Sequence, residues 1–69
     1  MKIIVNGENK FINISKREIS LADIINHLGY KPNTVVVELN NLIVNFDGWR
    51  QEKIKDGDKL EIVSIVGGG

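Results

Sequence analysis

Three consecutive glycines, Gly67, Gly68 and Gly69, end the sequence and supply its most distinctive chemical group. With a reference pKa of about 3.3 to 3.7, an α-carboxyl on Gly69 is an anion at neutral pH. A carboxylate is resonance-stabilised and is a poor acyl donor until it is activated, so we expect another enzyme to activate it. Three extended residues span at most about 10 Å, and glycines have no Cβ to collide with a narrow tunnel. Taken alone, a glycine-rich ending is more often only a disordered terminus. Delivery of this carboxylate into another protein's active site is the functional alternative.

The remaining polar side chains predict no catalytic or metal site. His27 is the single histidine and the sequence has no cysteine, so we expect a solvated surface histidine. Asp56 and Asp58 flank Gly57 in a typical turn sequence, and one turn supplies too few ligands for calcium. None of the three serines belongs to a recognisable nucleophile motif. We therefore expect no catalytic residue and no metal within this chain.

Length, charge and composition exclude further classes of protein. Sixty-nine residues make one domain at most, which is too small to enclose a roomy active site. Nine basic and nine acidic residues leave no basic field for nucleic acid. The N-terminal apolar run is too short for a signal peptide, and no run approaches membrane-spanning length. We therefore expect a cytoplasmic protein that binds neither nucleic acid nor a membrane.

Apolar and β-branched segments separated by turn residues predict five strands. Asn6-Gly7 and Asn40-Asn41 can adopt the positive φ angles of tight turns, which indicates two β-hairpins. The first turn is expected to occupy residues 6–9, and the acidic turn around Gly57 leads into the longest strand. The predicted strands are residues 2–5, 10–14, 34–39, 42–44 and 59–66.

A short helix is predicted between the two hairpins. Ser20 and Asp23 have the spacing of a capping box, so the helix should begin at Leu21. Gly29 can adopt the left-handed conformation that ends helices. Apolar residues at i, i+3, i+4 and i+7 place one buried face against a flat apolar surface. The residues of this face are Leu21, Ile24, Ile25 and Leu28.

The aromatic residues Phe46 and Trp49 follow the second hairpin. Asp47 is expected to cap a single helical turn that carries Trp49. We expect both rings to close the end of the core, because so small a domain needs its large side chains there. A ligand site lined by the two rings is the alternative.

The order of two strands, a helix, two strands and a long last strand is that of the α+β β-grasp fold, in which a mixed sheet of four to five strands curls around one helix. We expect residues 1–66 to form this domain and residues 67–69 a flexible tail. The segments "VVVELNNLIV" and "DGDKLEIV", the tryptophan between them and the terminal glycines add a closer likeness. With these features the whole chain resembles the ubiquitin-like sulfur carriers, and among them the ThiS family of thiamine biosynthesis.

The resemblance implies a sulfur carrier that is not itself an enzyme and binds no cofactor. A ubiquitin-activator-like adenylating enzyme would use ATP and Mg²⁺ to convert the Gly69 carboxylate into an acyl-adenylate. A cysteine-desulfurase-type donor would then supply persulfide sulfur, and the resulting thiocarboxylate would serve a thiazole synthase. Gly67 and Gly68 would give the tail its access to these partners, and the free carrier is expected to be a monomer. Because the chain has no cysteine, it could hold this sulfur only at its terminal carbonyl.

Three other functions remain open from the sequence. A small subunit that feeds sulfur to molybdopterin would differ only in the acceptor that docks. A ubiquitin-like modifier would leave isopeptide adducts on lysines of other proteins. A plain β-grasp adaptor would leave Gly69 chemically unchanged.

Alternation along the strands predicts two sheet faces with different roles. The residues expected to face the helix are Ile3, Val5, Ile12, Ile14, Val37, Leu39, Leu60 and Ile62. The opposite face should present a contiguous apolar patch, which we interpret as a docking surface for the partners. A scatter of ordinary exposed residues is the alternative interpretation. The members of the expected patch are Ile4, Phe11, Val63 and Ile65.

Overall fold

The computed structural model describes residues 1–65. Five strands and one helix make up this part of the chain, together with two short 3₁₀ turns, Pro32–Thr34 and Phe46–Gly48. In chain order the elements are β1 (Lys2–Val5), β2 (Glu8–Phe11), α1 (Leu21–His27), β3 (Val35–Leu39), β4 (Leu42–Val44) and β5 (Lys59–Ser64).

The five strands form one mixed sheet in the order β2-β1-β5-β3-β4. β1 and β5 are parallel, whereas the other neighbours are antiparallel. The helix packs its apolar side on one face of this sheet, which confirms the α+β β-grasp fold. The inward residues predicted by alternation are buried except Ile14, which is half-buried. The buried core comprises Ile3, Val5, Ile12, Leu21, Ile24, Ile25, Val35, Val37, Leu39, Trp49, Ile54, Leu60 and Ile62.

The first hairpin turns more tightly than we predicted. Asn6 and Gly7 have φ angles of 50° and 82°, so these two residues complete the turn alone. β2 therefore begins at Glu8, and the predicted strand of residues 10–14 is wrong at both ends. β2 ends at Phe11, opposite the first residue of β1, Lys2. Ile12 still exchanges main-chain hydrogen bonds with Met1, and its side chain is buried in the core.

The helix begins at Leu21 as predicted. Asp23 N donates to Ser20 Oγ at 3.1 Å, and Ser20 N donates to the Asp23 carboxylate at 2.9 Å. This reciprocal pair is the predicted capping box, and Gly29 has the expected positive φ of 86° after the helix. Three of the four predicted face residues are buried. Leu28 is only half-buried, because it is the C-cap residue and lies at the end of the contact with the sheet.

The second hairpin and the aromatic residues agree with the prediction in part. Asn40 and Asn41 both have positive φ angles, as the tight turn requires. The following 3₁₀ turn is preceded by Asn45 and has no side-chain cap, so the predicted capping role of Asp47 is wrong. Trp49 is 2% exposed, which confirms its place in the core. Phe46 is 60% exposed, so its predicted burial is wrong; its ring packs edge-on against that of Trp49.

Candidate functional site

The tail that we expect to be functional follows the central strand of the sheet. β5 lies between β1 and β3, and it ends at Ser64. The backbone N–H of Ile65 still donates to the carbonyl of Thr34 at 2.7 Å, so the chain remains paired one residue further. The predicted strand end at Val66 and all three glycines lie outside the described residues. The described structure thus locates the root of the tail at Ile65.

Pairing on both sides fixes the position of β5. Five successive residues of β3 pair with it, from Val35 opposite Ser64 to Leu39 opposite Leu60. On the other side, parallel pairing with β1 covers only two positions before the chain enters the Asn6 turn. The Asn6 side chain extends this pairing, because its amide binds the main chain of Ile62. β5 is therefore held from both sides as far as Ile62, and the described pairing from Val63 to Ile65 is on the β3 side alone.

The outer face, which we define as the sheet face opposite the helix, presents the four predicted patch residues with different exposures. Val63 and Ile65 are 59% and 51% exposed and lie near the end of β5. Phe11 is 81% exposed on edge strand β2, whereas Ile4 in β1 is half-buried. Alternation thus assigns these residues to the expected side of the sheet. Whether any of them contacts a partner stays a prediction.

The strand register does not unite these four residues into one contiguous patch. Phe11 pairs with Lys2, two residues before Ile4, and Ile4 pairs with Lys59, four residues before Val63. Six residue steps at about 3.3 Å place Phe11 about 20 Å from Val63 along the strand direction. The prediction of one contiguous patch is therefore wrong. The parallel pairing of β1 with β5 places Phe11 beyond the start of β5, whereas Val63 and Ile65 lie at its end.

Two exposed residues that the sequence analysis did not assign join Val63 and Ile65. Val36 in β3 pairs directly with Val63, and Ile43 in β4 lies diagonally from Val36, because it pairs with Glu38. The alternation of Val36 with its buried neighbours in "VVV" was a signal that could have identified it. We call these four residues the outer apolar group: Val36, Ile43, Val63 and Ile65.

The other candidate side chains have structural partners or are solvated. Asp56 accepts a hydrogen bond from Lys2 N, and Asp58 accepts one from Lys55 N. Both carboxylates thus bind backbone N–H groups. His27 is exposed to solvent. Within residues 1–65, no three or more His, Cys, Asp or Glu side chains are grouped to hold a metal. No helix in that part of the chain has the length and apolar character to cross a membrane.

Comparisons with known proteins agree with the predicted resemblance. The model of the ThiS family matches residues 3–69, a range that includes the three glycines. A crystal structure of the thiamine biosynthesis protein ThiS from Geobacter metallireducens superposes with a TM-score of 0.82 and 26% identity. That match covers 100% of both chains.

Two relatives are more similar in sequence. An uncharacterized protein, ycf40, from Trieres chinensis is 37% identical over 65 residues, which cover 94% of this chain and 85% of that protein. A thiazole synthase from Paramagnetospirillum magneticum is 38% identical over 69 residues. The second match covers 100% of this chain and 20% of the synthase, so the chain is similar to one segment of that longer protein.

Proposed function

The chain belongs to the ThiS family, and on that premise we propose that it carries sulfur as a thiocarboxylate on Gly69. The observation that carries the proposal is the family match, which extends through all three terminal glycines. Family membership and the likeness to a thiamine biosynthesis protein support the sulfur-carrier role. In this role the chain is a co-substrate of other enzymes, and it works in the cytoplasm.

Activation is the first chemical step of the proposed cycle. A carboxylate oxygen of Gly69 attacks the α-phosphorus of Mg²⁺-bound ATP, forming the acyl-adenylate and expelling pyrophosphate. A ubiquitin-activator-like adenylating enzyme supplies the nucleotide site, and the carrier itself binds no cofactor. The role of Gly67 and Gly68 is access, because residues without Cβ atoms pass through a narrow tunnel most easily.

Sulfur enters in the next two steps. The persulfide of a cysteine-desulfurase-type donor attacks the Gly69 carbonyl carbon, and AMP leaves, so that an acyl disulfide joins the two proteins. A second thiol then attacks the donor's sulfur and breaks the S–S bond. The electron pair of that bond stays on the acyl sulfur as the thiocarboxylate, and the donor becomes a disulfide. The carrier contributes no thiol to these steps, since its sequence has no cysteine.

We propose a thiazole synthase as the acceptor of this sulfur. The relative named thiazole synthase contains a segment similar to this whole chain, together with about four-fifths of sequence beyond it. Because one polypeptide contains both a carrier-like segment and the rest of a synthase, we infer a functional contact between carrier and synthase. Incubating the thiocarboxylated chain with a thiazole synthase and, separately, with a molybdopterin synthase large subunit tests this choice. We expect the thiocarboxylate to be consumed only with the first acceptor; consumption only with the second would support the molybdopterin alternative.

The partners are proposed to dock on the outer apolar group beside the root of the tail. Replacing Ile65 by Asp should weaken binding of the adenylating enzyme, because it places a charge among exposed apolar contacts. Phe11→Asp is the matched control, since Phe11 is also exposed but about 20 Å from Val63 along the sheet. Titration calorimetry measures both affinities. Equal affinity of Ile65→Asp and the parent would contradict docking at this end of the sheet.

Adenylation is tested by exchange of radiolabelled pyrophosphate into ATP. With the adenylating enzyme, Mg²⁺ and ATP present, exchange should depend on this chain, because the label returns to ATP only when the acyl-adenylate reverses. A chain amidated at Gly69 is the control, since it keeps the full tail but lacks the attacking carboxylate. No exchange with the parent chain, or equal exchange with the amide, would contradict the proposal and favour an inert adaptor.

A further inference from the structure

Two glutamates face each other directly on the outer face. Glu38 in β3 pairs with Glu61 in β5, and both side chains are half-buried. Asn40 N donates to Lys59 O at 2.8 Å, so these two residues form a hydrogen-bonded pair. Such pairs recur every two residues along an antiparallel ladder, so Glu38 and Glu61 form one as well. Cα atoms at such positions are about 5.5 Å apart. The two carboxylates therefore start from adjacent points on the same face, and their repulsion opposes strand pairing.

The ion pairs of the described residues do not relieve this repulsion. Within residues 1–65, the lysines that form ion pairs bind the carboxylates of Glu8, Glu18 and Asp23. Neither Glu38 nor Glu61 takes part in an ion pair there. Lys59, two residues before Glu61 in β5, lies on the same face but forms an ion pair with neither glutamate in the described structure. A cation supplied by another protein would be attracted by both carboxylates.

Apolar side chains border the glutamate pair. Ile43 lies beside Glu38 across the ladder, and the pair Val36 and Val63 forms the next row toward the end of β5. A partner that covers these apolar residues would also exclude water from a cation bound to the carboxylates. Hydrogen bonds between ionised groups are stronger when water is excluded, and surrounding apolar contacts serve this purpose in protein interfaces.

The position of the glutamate pair indicates which partner covers it. The four residues after Ile65 reach at most about 14 Å when fully extended. An enzyme that holds the Gly69 carboxylate in its active site must therefore lie over the end of β5. On the outer face, Val63 and Ile65 lie at this end of β5, and Glu61 lies two residues before Val63.

We propose, building on the proposed function, that the adenylating enzyme presents an arginine to Glu38 and Glu61 and packs apolar side chains on Val36, Val63 and Ile65. Arginine fits better than lysine, because its planar guanidinium offers five N–H donors on more than one edge and can bind two neighbouring carboxylates. Glu38 and Glu61 are thereby determinants of partner specificity, whereas the apolar group supplies contact area.

Charge-neutral variants test the proposal. Glu38→Gln, Glu61→Gln and the double variant keep the side-chain shape but remove the carboxylates. We expect the double variant to bind the adenylating enzyme about tenfold more weakly, with a smaller dependence of affinity on salt concentration. Glu8→Gln is the matched control, since it removes one exposed carboxylate on edge strand β2 and should leave the affinity unchanged.

A folding control separates loss of contact from loss of structure. The denaturation midpoints of Glu38→Gln and Glu61→Gln should equal or exceed that of the parent, because one of two opposed charges is gone. Glu61→Lys should pair with Glu38 within the chain, raising the midpoint further while weakening partner binding beyond the double Gln variant. Variants that bind weakly only because they unfold would contradict the proposal.

Two outcomes would overturn the proposal while leaving the sulfur-carrier function intact. One is an unchanged affinity and salt dependence in the double Gln variant although the parent chain still forms its acyl-adenylate. The other is a loss of affinity for a thiazole synthase but not for the adenylating enzyme, which would assign the glutamates to a different partner. Absence of acyl-adenylate in the parent would instead contradict the proposed function itself.

Discussion

The side-chain amide of Asn6 forms hydrogen bonds with both main-chain groups of Ile62. Its Nδ2 donates to the Ile62 carbonyl at 3.2 Å, and its Oδ1 accepts from the Ile62 N–H at 2.7 Å. β1 has already turned away at this point, because Asn6 has a φ angle of 50° and begins the hairpin turn. One side chain thus continues the pairing of β5 toward the root of the tail.

Removing this amide should destabilise the fold. In Asn6→Gly the positive φ remains favourable, so the change isolates the two hydrogen bonds. Leaving the part-buried Ile62 groups unpaired should cost about 1 to 3 kcal/mol of unfolding free energy. Asn41→Gly is the matched control, since Asn41 also has a positive φ and no side-chain hydrogen bond in the described structure. Equal denaturation midpoints for the two variants would show that the Asn6 amide contributes nothing.

Helix face residues should differ in their contributions to stability. Ile24 is fully buried, so Ile24→Ala should lower the unfolding free energy by about 2 to 5 kcal/mol. Leu28 is only half-buried at the helix end, and Leu28→Ala should cost less than about 2 kcal/mol. Chemical denaturation of both variants checks this order. A larger loss for Leu28→Ala would mean that the helix packs on the sheet through its C-terminal end.

The capping box should make stability depend on pH. The backbone N–H of Ser20, and then the Lys16 ammonium, lower the pKa of the Asp23 carboxyl below its ordinary value. The carboxylate therefore stabilises the fold above its unfolded pKa of about 3.9, and this contribution is lost as the pH falls through the lower folded value.

Comparing Asp23→Asn with the parent measures this contribution. The variant should be less stable than the parent at pH 7, and the difference should shrink as the pH falls below about 4. Asp47→Asn is the control, because Asp47 is exposed and has no side-chain hydrogen bond in the described part of the chain. A difference between Asp23→Asn and the parent that stays constant down to pH 2 would contradict a role for the ionised form.

The two aromatic residues should contribute very differently. Trp49 is buried and its Nε1 donates to the Val44 carbonyl at 2.8 Å, so Trp49→Ala should cost about 3 to 5 kcal/mol. Phe46 is exposed and contacts Trp49 edge-on, with ring centroids 5.2 Å apart. Phe46→Ala should therefore cost no more than about 1.5 kcal/mol. Thermal unfolding distinguishes the two, and a comparable loss in both would mean that Phe46 closes the core after all.

Local signals in the sequence were sufficient to predict much of the fold. The start of the helix follows from Ser20 and Asp23, whose reciprocal hydrogen bonds involve residues three apart. The second hairpin follows from Asn40 and Asn41, which tolerate positive φ. The order of strands and helix along the chain then predicted the β-grasp fold, because proteins with that fold share this order. Each of these features depends on residues close together in the chain.

The features that escaped prediction depend on contacts between distant residues. The separation of Phe11 from Val63 follows from the parallel register of β1 and β5, which join opposite ends of the chain. The pairing of Glu38 with Glu61 depends on the register of β3 and β5 in the same way. The exposure of Phe46 could not be predicted, because hydrophobicity alone does not select which of two neighbouring aromatic rings is buried.

The length of the tail should limit activation of the carrier. Deleting Gly69 leaves a glycine carboxylate but withdraws the reactive carbon by up to about 3.5 Å, and misplacement by about 1 Å can cost about a hundredfold in rate. Acyl-adenylate formation should therefore fall steeply, while the denaturation midpoint stays unchanged. A deletion variant that is activated at the parent's rate would show that the enzyme does not require the carboxylate at residue 69.

Intact-protein mass spectrometry after incubation with ATP, Mg²⁺, the adenylating enzyme, a persulfide donor and a thiol tests the central claim most directly. The parent chain should gain the mass difference of one oxygen replaced by sulfur, and fragmentation should locate it on the C-terminal peptide that ends at Gly69. A chain extended by one residue after Gly69 should remain unmodified, because its carboxylate is on the wrong residue. No sulfur on the parent, or full thiocarboxylation of the extended chain, would contradict the account.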